Sequence, residues 1–162
     1  MTRAITAADF DFIYGLYMHP DINPFLLYEM MDSTSFEPVY NDLLERNIIY
    51  IYEAGSTAAG MFKFIPQLHR NAHMAYLGGL AVHPSFAGKG HGISMMQEII
   101  ELGKNWGLAR IELSTAITNE KAIHLYEKIG FEKEGLLRKY TWLKSEGRFI
   151  DEVMMSYLYE QL

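Results

Sequence analysis

The chain has no cysteine. A disulfide framework and an acyl-cysteine intermediate are thereby excluded. Apolar runs are short, and none approaches the ~20 residues that a membrane helix needs. Positive charge is scarce as well. Lys and Arg number 14 against 20 Asp and Glu, giving a formal net charge of −6 and a pI near 5.5. That balance disfavours nonspecific nucleic-acid binding and attracts a cationic substrate. No apolar leader is expected, because Asp9 and Asp11 stand where its core would fall. The expectation is a cytoplasmic protein with neither a nucleic-acid nor a membrane partner. Its 162 residues suggest one domain over 1–162, long enough to bury a sizeable core.

Apolar periodicity and turn residues divide the chain into elements. Arg3-Ala4-Ile5 reads as a short strand. Thr6 to Asp9 has the form of a capping box, ahead of a helix through Phe10, Ile13, Tyr14 and Tyr17 that Pro20 ends. A second helix is expected over residues 36–46, with Val39, Leu43 and Leu44 inward. Residues 47–53, 58–65 and 74–82 read as strands, with Gly55-Ser56 as a turn and Pro66 as a stop. Gly78-Gly79 interrupts the last of these. A hairpin turn there would leave only Leu80-Ala81-Val82 as strand, so a bulge is the preferred reading. A helix follows from about Gly90 to Trp106, then a strand over residues 110–116. Asn119 caps another helix, whose face carries Ala122, Leu125, Tyr126 and Ile129, and Gly130 sits at a left-handed C-terminal cap. Strands at about 134–143 and 149–159 close the chain. The helix between Val82 and Arg110 forces a parallel crossover pair, whereas the short connections elsewhere imply antiparallel pairing. The fold class is α/β (α+β), with a mixed, mostly antiparallel sheet flanked by helices.

The stretch from Leu80 to Met96 is the most informative. A strand end passes Pro84 into Ala87-Gly88-Lys89-Gly90-His91-Gly92-Ile93 and on into a helix. Alternating glycines let successive backbone N–H groups point into one concavity, and the helix N-terminus adds unsatisfied donors and partial positive charge. Such a loop suits a phosphate or pyrophosphate. The nucleoside triphosphate spacing Gly-x-x-x-x-Gly-Lys-Ser/Thr is absent. The dinucleotide spacing Gly-x-Gly-x-x-Gly fails too, because its last position falls on Ile93 or Met95.

Gly88-Lys89-Gly90-His91-Gly92 does fit Arg/Gln-x-x-Gly-x-Gly/Ala, the pyrophosphate loop of the GNAT acyl-CoA-dependent N-acyltransferases, which this sequence resembles. Ala87 departs from the pattern, standing where Arg or Gln is usual. A second stretch carries the resemblance further. Asn119, Ala122, Leu125-Tyr126 and Gly130-Phe131 match the family's second cofactor motif, and Asn119 and Tyr126 lie seven apart on nearly one helical face. The element order is also the GNAT order. The resemblance implies an N-acetyltransferase that moves acetyl from acetyl-CoA to a primary amine by direct attack in a ternary complex. It implies cofactor contacts at Leu80, Ala81, Val82, Ala87, Gly88, Lys89, Gly90, His91, Gly92, Ile93, Asn119 and Tyr126. In the family the strand carrying Leu80–Val82 splays from its neighbour to admit the pantetheine arm. Its end offers a backbone N–H to the thioester oxyanion. Tyr126 is the expected general acid for the departing thiolate, since a phenol of reference pKa about 10 is protonated at neutral pH.

The general base stays open among Glu112, Glu29 and Asp151. Glu112 is equally a solvated strand residue or a partner for Arg110. Lys89 is either a phosphate contact or an exposed cation. His69 and His73 have the spacing of a zinc helix, but Arg70 stands where that motif needs Glu, so no metal is expected. The C-terminal segment is similar to the branch that includes ribosomal-protein, spermidine and amino-acid acetyltransferases. The expected partner is a small-molecule amine or a peptide N-terminus, and the terminal hairpin implies a homodimer. A non-catalytic CoA-binding sensor is the alternative, favoured by Ala87.

Overall fold

The computed structural model describes residues 1–160. Among them are seven strands and four α-helices in the expected order. Strand β1 (Thr2–Ala4) precedes α1 (Phe10–Tyr17) and α2 (Ser33–Arg46). Then come β2 (Ile49–Ala54), β3 (Thr57–Pro66), β4 (Met74–Val82) and α3 (His91–Asn105). Strand β5 (Arg110–Ala116), α4 (Glu120–Ile129), β6 (Glu132–Leu143) and β7 (Arg148–Leu158) complete the chain. Hydrogen bonds link the strands as β1-β2-β3-β4-β5-β7-β6. The β4–β5 pair is parallel, as the intervening helix requires, while the pairs β1–β2, β2–β3, β5–β7 and β6–β7 are antiparallel.

The chain forms two compact units, residues 1–64 with 79–95 and residues 65–78 with 96 onward. In the first unit the capping box forms: the Thr6 side chain accepts from Ala8 N–H, and Asp9 accepts from Thr6 N–H at 2.8 Å. Arg3 pairs with Asp9 at 2.9 Å and with Glu53 at 2.8 Å, tying β1 to the turn before α1. Phe36 is the hub of the core here. Its ring packs on those of Phe10, Tyr14, Tyr17, Tyr28 and Tyr40. The inward stripe of α2 is therefore Phe36, Tyr40 and Leu43: Leu43 points inward as expected, while Phe36 and Tyr40 take the places expected of Val39 and Leu44. The helix also starts earlier than expected, at Ser33. Asp32 caps it by accepting from Ser35 N–H at 2.7 Å, and burial of Phe36 offsets the backbone bond lost at Pro38.

In the second unit Ala75, Leu77, Ile99, Ile111, Leu113, Phe131 and Met155 form the core. Gly130 ends α4 at φ 115°, the left-handed cap, and Phe131 folds back onto Tyr126. The β4–β5 register runs from Met74↔Arg110 to Tyr76↔Glu112. Strand β4 itself continues through Gly78-Gly79 without turning, so the hairpin reading fails. Gly79 lies at φ +54°, a left-handed kink inside an extended strand.

Candidate active site

The glycine loop lies in the first unit. The backbone after β4 is held by His83, whose N–H donates to Ala59 O at 2.7 Å and whose Nδ1 accepts from Ser85 N–H at 3.2 Å. Phe86 and Ala87 N–H donate back to His83 and Pro84 carbonyls. The next amide in this bonding is that of Ser94, which donates to Gly90 O at 3.1 Å. Among the described residues, no hydrogen bond of the turn uses the amides of Gly88, Lys89, Gly90, His91, Gly92 or Ile93. Gly88 at φ +73° and Gly90 at φ +82° supply the alternating backbone, and a β-carbon built on either meets nothing within 4 Å. The result is a row of N–H donors, exposed at Gly88, Lys89 and Gly90 and half-buried from His91 to Ile93, opening into the N-terminus of a 15-residue helix. A phosphate group fits that donor set.

Side chains around the loop contribute unequally. Ala87 is exposed and offers no polar atom. Lys89 is exposed, with Nζ 3.3 Å from Ser85 O and 6.0 Å from the Phe86 ring centroid. His91 anchors the helix start, with Nδ1 3.1 Å from Tyr52 Oη and its ring edge-on to Phe86. Upstream, Ala81 is buried, and its carbonyl lies only 2.8 Å from a β-carbon built on Gly60. Glycine at 60 thus permits the close approach of β3 to the end of β4 that carries Leu80, Ala81 and Val82.

The second unit holds Asn119, Tyr126 and Glu112. Asn119 is the N-cap of α4: its Oδ1 accepts from Ala122 N–H, and its Nδ2 donates to Thr115 Oγ1, each at 3.4 Å. Tyr126 is 7% exposed, and burial pushes its phenol above the ordinary range, with Tyr76 adding to the effect. Among the described residues, its hydroxyl makes no hydrogen bond, so its proton is uncommitted. Glu112 accepts from Arg110 at 2.9 and 3.1 Å, and Arg110 also pairs with Glu134 at 2.6 Å. The partner that sequence offered Glu112 is the one it has. Asp151 accepts from Lys139 N–H at 2.7 Å, and Glu29 is exposed.

Two groups went unnoticed in the sequence. Glu152 accepts from Ser114 Oγ at 2.8 Å and from Thr141 Oγ1, and Ser114 is 3.2 Å from Tyr76 Oη. Nothing local marks this chain, because its members come from β4, β5, β6 and β7. Lys63 is the other, a buried lysine between Phe62 and Phe64. A cation inside so apolar a strand is itself the signal. Among the described residues, no three metal-ligating side chains cluster, and no helix is long and apolar enough to cross a membrane.

A free-amide glycine loop before α3 and a phenol on α4 are the two motifs set out above, now in place. The family model described as "Acetyltransferase (GNAT) family" matches residues 10–131. The chain belongs to the GNAT acetyltransferase family. An Escherichia coli L-amino acid N-acetyltransferase is 34% identical over 93 residues, covering 57% of this chain and 56% of that relative. The chain therefore spans about half the length of that curated relative. A Vibrio cholerae spermidine N(1)-acetyltransferase is 28% identical over 157 residues, covering 92% and 87% of the two chains. The GNAT fold recurs in the crystal structure of Vibrio cholerae spermidine N-acetyltransferase in complex with CoA and spermine. It has a TM-score of 0.83 at 24% identity, covering 98% of this chain and 94% of that one.

Proposed function

We propose that the protein acetylates a small primary amine with acetyl-CoA, by direct attack in a ternary complex. The observation that carries this reading is the run of uncommitted amides from Gly88 to Ile93 at the start of α3, a donor set suited to a pyrophosphate. Ala87, Gly88, Lys89, Gly90, His91, Gly92 and Ile93 hold that group, chiefly through backbone, and Asn119, the N-cap of α4, is a further cofactor contact. A backbone N–H among Leu80, Ala81 and Val82 receives the thioester oxygen as it becomes an oxyanion.

The amine nitrogen attacks the carbonyl carbon, the C–N bond forms and the C–S bond breaks. Tyr126 gives its uncommitted proton to the departing thiolate. The proton leaving the amine passes to a carboxylate. Glu112 is the sequence candidate, but the oxygen facing Arg110 is committed to that pair. Glu152, bonded by hydroxyl donors and linked through Ser114 to Tyr76, is the acceptor proposed in its place. No cysteine is present to form an acyl-enzyme, which favours direct transfer.

Thermal stabilisation tests the ligand. Acetyl-CoA at ~100 times its dissociation constant should add roughly 2.7 kcal/mol, with a comparable effect from CoA and none from ATP or NAD. Absence of a shift with either CoA species would contradict the reading. A cytoplasmic homodimer is also proposed. The absence of cysteine suits a reducing compartment. Leu136, Tyr140, Trp142 and Phe149 expose an apolar face on β6 and β7 suited to a second copy, which light scattering would detect.

A further inference from the structure

The hydrogen-bonded chain of Tyr76, Ser114, Glu152 and Thr141 lies within the second unit and draws one residue from each of β4, β5, β7 and β6. Successive residues of a strand face opposite sides of the sheet. Ala75, Leu77, Ile111, Leu113, Val153 and Met155 face the core and are buried. Tyr76, Ser114 and Glu152 are one step out of phase with them, so they share the other face, where all three are half-buried. Register brings them together. Tyr76 stands opposite Glu112, Ser114 opposite Met154 and Glu152 opposite Ala116, which makes each a diagonal neighbour of the next. Tyr76 is also the final residue of β4 paired with β5, at the point where the two strands part. Glycine at 78 leaves room for its ring, since a β-carbon built there would lie 3.0 Å from Tyr76 Cε1.

The direction of each bond in the chain follows from proton counting. An ionised carboxylate only accepts, and a serine hydroxyl has one proton to give. Ser114 gives its proton to Glu152 Oε1 at 2.8 Å. It has none left for Tyr76, so across their 3.2 Å contact Tyr76 Oη donates and Ser114 Oγ accepts. Thr141 donates to the other carboxylate oxygen, Oε2. Every hydroxyl therefore points toward Glu152, and the chain starts at a phenol oxygen whose own lone pairs are unused. Among the described residues, nothing donates to Tyr76 Oη. Burial holds the Tyr76 phenol above its usual range, so it keeps its proton at neutral pH. We infer that Tyr76 Oη meets the attacking amine, and that Tyr76 and Ser114 relay the amine proton to Glu152. As the C–N bond forms, an N–H bond breaks and that proton goes to Tyr76 Oη. The phenol's own proton moves to Ser114 Oγ, and the serine's proton moves to Glu152 Oε1. The amine loses one proton, the carboxylate gains one, both hydroxyls end neutral, and no electron is transferred. The inference rests on the acetyltransferase reading, to which it adds the path of the proton.

Steady-state kinetics of wild type and relay variants test it. Wild type with acetyl-CoA is first offered a panel of amino acids and amines, namely the twenty L-amino acids, their matched amines without the carboxylate, and spermidine. The acceptor turned over fastest is carried into the variants. S114A breaks the relay but leaves the carboxylate in place, so kcat should fall about 10²-fold or more while KM stays within a few-fold. S114T restores a hydroxyl and should recover most of the loss. Y76F should lose about as much as S114A, and the double variant Y76F/S114A no more than either alone, because members of one relay act as a unit. A retained acetyl-CoA thermal shift reports that each variant is folded. If Glu152 took the proton directly, S114A and Y76F would stay near wild type while E152Q lost activity, and that result overturns the relay. A double variant in which the two losses multiply, or S114T no better than S114A, overturns it as well. Wild type inert toward the whole panel removes the acetyltransferase reading and the relay with it, whereas wild-type turnover that survives in S114A removes the relay alone.

Discussion

Replacing Gly79 by alanine tests the kink in β4 that places Leu80-Ala81-Val82 after the parallel pairing has ended. The residue lies at φ +54°, where a β-carbon costs roughly 1–2 kcal/mol in backbone strain. The new methyl would also meet Tyr17 Oη at 3.0 Å and Lys63 Cβ at 3.5 Å. Tyr17 has little room to yield. It is fully buried, with Tyr28 and Phe36 rings 5.1 and 5.7 Å from its own. Overpacking of this kind costs about 1–3 kcal/mol, so Gly79→Ala should destabilise by about 2–5 kcal/mol in all. Urea unfolding measures this as a fall in midpoint at constant slope. Gly15→Ala is the control, because the same change in α1 meets nothing within 4 Å and should be neutral or stabilising by up to ~1 kcal/mol. A Gly79→Ala protein within about 0.5 kcal/mol of wild type would refute the reasoning, whatever the control does.

Other expectations follow from the site and the core. Tyr126→Phe should fold normally, still bind acetyl-CoA, and lose about 10²–10⁴-fold in kcat in a steady-state assay, the usual worth of general acid catalysis. Because burial raises the Tyr126 phenol above its usual range, no basic limb of the pH–rate profile near neutrality should disappear with it. Ala87→Arg should tighten CoA by up to about ten-fold in calorimetry, by adding the charge-assisted contact that an exposed alanine cannot make. Arg3 holds the Asp9 carboxyl down to about 2 from an ordinary 3.8. Asp9 therefore binds its proton more readily when unfolded. Its contribution of about 2 kcal/mol is present above pH ~4 and lost as pH falls toward 2, and Asp9→Asn should abolish that part of the acid-side slope in urea titrations.

Much of this was legible because it depends on local chemistry. Thr6, Asn119, Gly107 and Gly130 mark helix ends through caps and left-handed backbone, and a cap needs only its own few residues. The glycine loop was legible for the same reason: positive φ at Gly88 and Gly90 is a property of those positions. What escaped depends on distant partners. The start of α2 lies three residues before the expected Phe36, at Ser33, and Phe36 itself becomes the hub of five rings that no local pattern brings together. Arg110 is legible as a partner for Glu112, but Glu134, which shares Arg110 with it, is not, because it lies 22 residues further on in another strand. The surroundings of Lys63 come from the segment before α2 and from α2, through Tyr28, Asp42 and Arg46. Pattern reading sees only an ill-fitting lysine there.

Release of free thiol from acetyl-CoA, followed with a thiol reagent across the amino-acid and amine panel, tests the central claim most directly. The protein contains no cysteine, so every thiol detected is CoA. The account predicts amine-dependent release, equimolar with N-acetylated product and abolished or greatly reduced in Tyr126→Phe. Acetyl-CoA binding with no release above the amine-free rate for any acceptor would contradict it, and would identify a domain that holds the cofactor without using it.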